Sequence, residues 1–232
     1  MPSNKTYGFL SFVLFSIVLF CILGIWQLYR YYDKQTLLKT YEARLHELPK
    51  PFEFLSGKLE NIQFQPVVVE GEWLPAFSML ISRLHQGKLG FEVITPMRVM
   101  GGQKWLLIDR GWMPKGDKFL PFLAPISGKL QLLGYIKLVD KHTFILGKNI
   151  LDTSVKPWVM QKINIDELRG LTKHDFYPFL LRLDPGESNG FVRDWVISIA
   201  PPERHMMYAI QWFALAIVFL IGSFFYIQRA RV

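Results

Sequence analysis

The residues best suited to acid–base or metal chemistry in this 232-residue chain are its five histidines, His46, His85, His142, His174 and His205. No two of them stand at the spacing that places a pair of imidazoles on one helix face as metal ligands. No G-x-S-x-G elbow, Walker sequence or H-E-x-x-H motif occurs. Cys21 is the single cysteine and lies in an apolar run, so thiol chemistry and cysteine-ligated copper or zinc are excluded elsewhere. Carboxylates are plentiful, but the sequence singles out no acid–base pair. Four of the histidines, His46, His85, His142 and His174, have the setting of solvated surface residues.

His205 differs because it stands one residue before a long uncharged stretch. On a helix, His205, Tyr208 and Trp212 fall at i, i+3 and i+7 and share a face, with Gln211 on an adjoining strip. A neutral imidazole there can ligate a haem iron while the rings pack on a porphyrin. The same residues also suit a membrane interface, with the imidazole bonded to headgroups or to the rest of the chain. Near the end of another uncharged stretch, Trp26 and Arg30 are at i, i+4, compatible with a cation–π contact. Gln27 and Arg30 are at i, i+3 and can bind a second helix or snorkel toward headgroups.

The elements that must position these groups are two apolar segments. Tyr7 to Leu28 and Met206 to Ile227 are 22 residues each without a charged side chain. As helices each measures about 33 Å, roughly one hydrocarbon thickness. Residues 7–28 and 206–227 are therefore expected to cross a membrane. The first is not a cleaved leader, because no small-x-small site follows it and the bulky Phe20 precedes Cys21. Trp26, Tyr29, Tyr31 and Tyr32 border the first span, and Phe224, Phe225 and Tyr226 close the second, as interfacial aromatics do. Two spans place both termini on one side, and Arg229 and Arg231 indicate the cytoplasm.

Residues 29–204 are expected to form one extramembrane domain, beginning with a helical extension over 29–48. Leu37, Tyr41, Leu45 and Leu48 repeat at helical spacing, and Pro49 and Pro51 stop the pattern. Strand signals then dominate: Val67–Val69, Phe77–Leu84, Phe91–Val99, Lys104–Trp112, Lys129–Val139, Trp158–Ile163, Phe179–Leu183 and Trp195–Ile199. Gly101 and Gly102 turn the third into the fourth. Asn164 is expected to cap a short helix over Ile165–Gly170. The fold class is thus a membrane protein with two transmembrane α-helices flanking one α+β, mostly antiparallel β domain of seven or eight strands.

Half the residues are hydrophobic and the net charge is +8. The apolar excess lies largely in the two spans. Lys5, Arg229 and Arg231 carry three of the positive charges at the expected cytoplasmic ends, leaving the domain mildly basic. Its cations are spread singly without a nucleic-acid motif, so nucleic acid is excluded as a partner and the lipid bilayer is expected.

Six motifs in order resemble the Surfeit locus protein one family, a group of cytochrome oxidase assembly factors. Leu23 to Arg30 resembles its L-G-x-W-Q-x-x-R signature, with Gly24, Trp26, Gln27 and Arg30 matching. Val67 to Gly71 resembles its first strand and glycine. Gly90 to Pro96 resembles G-x-x-V-x-T-P. Ile108 to Pro114 resembles N-R-G-[WF]-x-P, with Arg110, Gly111 and Trp112 matching and Asp109 standing where Asn is more usual. Gly128 to Leu138 resembles a G-x-x-x-L-x-G-x-x-[KR] strand. His205 to Phe213 resembles the H-x-x-Y-x-x-x-W-[FY] signature opening the second span. Glu203-Arg204 stands where Asn-containing dipeptides are common, and His142 to Asp152 matches only loosely.

The resemblance implies a non-enzymatic role in building the haem a site of subunit I in haem-copper cytochrome c oxidase. It makes His205 the candidate ligand to the iron of a transiently bound haem a, with Tyr208 and Trp212 as pocket walls. It implies subunit I and haem a synthase as partners. A scaffold that stabilises an oxidase intermediate without holding haem is the alternative. Gly71 and the Arg110-Gly111-Trp112 turn are expected to be structural. Only six residues precede the first span, so a bacterial inner membrane with a periplasmic domain is expected, the mitochondrial inner membrane being the alternative.

Overall fold

The computed structural model describes residues 4–55, 58–116, 123, 128–140, 145, 147–152, 154, 156–195 and 201–229. The chain forms two compact units, a pair of helices and a β-domain beginning at Ala43.

Helix α1, Asn4–Leu45, is continuous over 42 residues, and helix α3, Pro202–Arg229, over 28. Both are long and apolar enough to cross a membrane. Little of either apolar stretch is buried by protein, and Phe12, Phe15, Ile22, Ile217, Val218 and Phe225 are all exposed. Such a surface belongs in lipid. α1 runs unbroken through residue 28 and ends before Pro49, whose ring cannot continue a helix. Pro202 opens α3, where its fixed φ suits a first turn and its missing N–H costs nothing. The two helices meet along a seam that includes Val13, Ser16 and Gly24 on α1 and Ala209 and Ala216 on α3, all buried. Small residues allow this close approach, since apolar burial gives no net drive inside lipid. A side chain at Gly24 would begin 2.7 Å from the Phe213 ring, so the glycine is the socket for that ring.

The β-domain is built on a ring of five strands. Strand β2, Pro66–Trp73, pairs antiparallel with β6, Lys129–Leu138, and β6 pairs antiparallel with β9, Phe176–Leu183. β9 pairs parallel with β5, Trp105–Pro114, and β5 antiparallel with β4, Lys88–Val99. Met97–Val99 of β4 then return to Trp73–Gly71 of β2 and close a barrel. The other half of β4 pairs with β3, Met79–His85, which carries β8, Trp158–Met160, and β7, Ile150–Asp152, as an open flap. β1, Lys50–Pro51, lies parallel against β2. The mostly antiparallel reading stands, with three parallel pairings among the nine described strands.

Alternation along the strands explains two cores. Leu106, Ile108, Leu181, Val67, Val69, Leu132 and Ile136 fill the barrel. Their neighbours Trp105, Leu107 and Leu180 point the other way, onto Met79, Ile94, Met160 and Leu168. β5 and β9 are thus buried on both faces and read as near-continuous apolar runs. Leu168 belongs to α2, Ile165–Thr172, whose amide groups of Asp166 and Glu167 donate to the Asn164 side chain as the capping pattern predicts.

Two expectations need correction. Arg110, Gly111 and Trp112 do not form a turn; they lie inside β5. Gly111 has φ +106, and its missing side chain lets the Val192 carbonyl approach, so that Trp112 pairs with Val192. Gly71, expected to be structural, lies within β2, where a Cβ would strike the Arg98 carbonyl at the barrel closure. Trp195 is not in a strand; its indole donates to the Leu183 carbonyl at 2.8 Å. Residues 196–199 of that expected strand, together with His142 and Arg231, lie outside the described residues.

A hydrogen-bonded histidine between the helices as candidate functional site

His205 occupies the first turn of α3 and faces α1. Its Nδ1 lies 2.8 Å from Oε1 of Gln27. A carbonyl oxygen only accepts, so Nδ1 carries the proton and donates. In the neutral imidazole this leaves the lone pair on Nε2. Polar groups in an apolar layer seek one another, because an unmet donor there is costly. Two turns along the seam, Trp212 stacks on Phe20 of α1 at 5.8 Å, and Phe20 in turn meets Phe219 edge-on at 5.3 Å. The seam therefore carries a half-buried, hydrogen-bonded imidazole with stacked aromatic rings two turns farther along.

That donor set fits a histidine ligand to a haem iron. Ligating histidines generally donate their second ring N–H to an oxygen acceptor, which fixes ring orientation and raises basicity. Gln27 supplies such an acceptor. The remaining sequence candidates divide. Trp212 joins His205 on the seam side, whereas Tyr208 is 51% exposed. Trp26 is 53% exposed and Arg30 is exposed. Gly24 serves helix packing.

In the β-domain, Arg110 is structural. It is only 4% exposed, donates to the Asn189 carbonyl at 2.8 Å, and lies over Phe191 at 4.9 Å and Trp73 at 5.7 Å. Burial pulls its guanidinium down to about 10. The Trp112 indole donates to the Arg83 carbonyl at 3.1 Å and packs on His85, which pairs with Asp194 at 3.3 Å. His174 stacks on Trp105 at 4.1 Å. Two of the histidines expected on the surface thus have specific packing partners.

Sequence reasoning missed a buried ionic cluster in the barrel wall. β4, β5, β6 and β9 each contribute one member: Glu92, Asp109, Lys137 and Arg182. Arg182 Nε reaches Asp109 Oδ2 at 3.3 Å, and Arg83 Nε reaches Glu92 Oε2 at 3.3 Å. Burial, and then the adjacent Glu92 carboxylate, pushes the Asp109 carboxyl well above its ordinary range. Against the cost of its own burial, the Asp109 hydrogen bond and the cations around it hold Glu92 below its ordinary range. The two opposite shifts favour the proton on Asp109 over Glu92, and a protonated Asp is close in shape and polarity to the Asn more usual in the resembled motif. The Asp109 Oδ1 also accepts from the Gly111 amide at 3.2 Å, which fixes the backbone at the φ +106 position. No signal in one sequence links four residues so far apart. Among the described residues, no group of three His, Cys, Asp or Glu side chains converges on a metal-sized site.

A profile of the SURF1 family matches residues 14–217. A SURF1-like protein of Monosiga brevicollis is 23% identical over 234 residues, covering 94% of this chain and 87% of its own length. One from Rickettsia conorii is 24% identical over 227 residues, covering 96% and 91%. One from Dictyostelium discoideum is 33% identical over 135 residues, or 53% of this chain and 49% of that one. The matched region runs from inside α1, through the barrel with its Arg110-Gly111-Trp112 segment, past His205 into α3, and the chain belongs to the SURF1 family.

Proposed function

We propose that this protein is a non-enzymatic assembly factor for a haem-copper cytochrome c oxidase and handles haem a for subunit I. His205 would ligate the iron through Nε2, with Trp212 and Phe20 against the macrocycle and Tyr208 at its edge. Haem a, when bound, supplies the redox-active iron that the finished oxidase uses. The protein's own part is to hold the imidazole neutral and aimed, and to keep the aromatic seam dry. The observation that supports this reading most is the 2.8 Å contact between His205 and Gln27, two residues drawn from the opening and closing signatures of the chain. Its setting is a bacterial inner membrane, with both termini cytoplasmic and the barrel periplasmic. Subunit I and haem a synthase are the protein partners of this reading.

The test is haem a per subunit I in oxidase purified from cells whose own copy has been replaced by wild type or by His205→Ala. The reading expects less haem a in the variant at equal amounts of membrane-inserted protein. Equal haem content would favour a scaffold that stabilises an intermediate without holding haem.

A further inference from the structure

We propose that a groove on the β-domain receives an apolar segment of a partner protein that carries an arginine or lysine. The groove is a cavity of about 780 Å³, open along one side, between the 3-10 turns at Phe52–Phe54 and Leu59–Ile62 and strands β2 and β9. That volume is within the usual range for ligand sites of about 300–1,000 Å³. Its wall is aromatic: the Phe52 ring meets Tyr177 at 5.1 Å and Phe179 at 6.2 Å. Phe52 and Tyr177 are only partly buried against the barrel core, so their remaining faces are available.

Charge says what kind of segment fits. The β-domain is net basic, yet the charged residues lining this groove are Glu53 and Glu70, with no Lys, Arg or His among the described lining residues. Neither carboxylate forms an ion pair among the described residues; Glu70 accepts only the neutral amide of Gln131, at 3.0 Å. Burial raises the Tyr177 phenol, so its hydroxyl stays protonated as a donor beside Gly102. Carboxylates beside aromatic faces attract a guanidinium or ammonium group and repel an anion. The groove is thus a poor site for haem propionates or phosphate. It does not depend on the role given to His205. Its volume also exceeds that of one headgroup amine and suits several neighbouring side chains, which favours a protein segment.

The test places photoreactive benzoylphenylalanine at Met100, an exposed groove residue, in the full-length protein in its native membrane, with Leu84 outside the groove as control. Adducts are mapped by mass spectrometry. The proposal expects an adduct at Met100 but not Leu84, on another protein, with Arg or Lys within a few residues of the linked position. It expects the yield to fall at least about tenfold in a Glu53→Gln, Glu70→Gln double variant with an unchanged melting curve. A synthetic peptide of the linked segment should bind the detergent-purified protein with the same dependence on the two carboxylates. An adduct with lipid, with a second copy of this chain or with a segment lacking a cation would overturn it. So would the absence of an adduct, or a yield indifferent to the double substitution.

Discussion

In the barrel wall, Glu92, Asp109, Lys137 and Arg182 are charged or chargeable groups packed against one another. Between α1 and α3, the polar contact on the seam among the described residues is one bond between Gln27 and His205. The difference follows from what surrounds each unit. The barrel folds in water, where a buried charge survives if partners and a shared proton offset its lost hydration. In lipid an unmet polar group is costly, so the two polar side chains on the seam satisfy each other. The same bond would orient the imidazole for a metal. The constraint imposed by the membrane and the requirement of the proposed function therefore point the same way.

The barrel side of this contrast breaks hardest. Arg182→Met strands Glu92 and Asp109 with less positive charge and should destabilise the β-domain by about 3–5 kcal/mol. Denaturant unfolding of the detergent-solubilised chain, followed by tryptophan fluorescence, measures it. A loss below about 1 kcal/mol would mean that the cluster is not the closely coupled unit inferred from its geometry.

The helix side should respond in ligand affinity rather than in stability. Gln27→Leu removes the acceptor that holds the His205 tautomer and should weaken haem a binding about 10- to 100-fold. A spectroscopic titration reads this, and unchanged affinity would make the bond a packing feature only.

The smallest effect is one of sign. Asp109 is raised in the folded state, so folding favours its protonated form. Its contribution is present below the ordinary Asp range and is lost as pH rises toward the folded value. Glu92 is lowered, and its contribution is lost as pH falls below the ordinary Glu range. Asp109→Asn keeps the neutral shape without the proton. Relative to wild type it should gain stability as pH rises from 5 to 8, measured as a shift in denaturation midpoint. A difference that is flat with pH would contradict the shared proton.

Much of this was legible in the residues, for identifiable reasons. Long uncharged runs declare membrane helices because lipid tolerates so little else. The turn at Gly101-Gly102 and the cap at Asn164 are local, and both stand. Gly111 was misread as a turn because a glycine reports a backbone demand without saying whether a bend or a close neighbour imposes it. Barrel closure, β4 turning from β3 to β2, was invisible, since it depends on pairings far apart in sequence. The Gln27–His205 bond spans 178 positions and was equally hidden. Only the types of the two residues, polar at the mouths of apolar helices, marked them out.

The central claim is that His205 presents Nε2 to a haem iron. The most direct measurement is the visible spectrum of the detergent-purified protein titrated with haem a, wild type beside His205→Ala. The account predicts a saturable shift of the Soret band in the wild type that is lost in the variant. An identical shift in both proteins, or none in either, would contradict it.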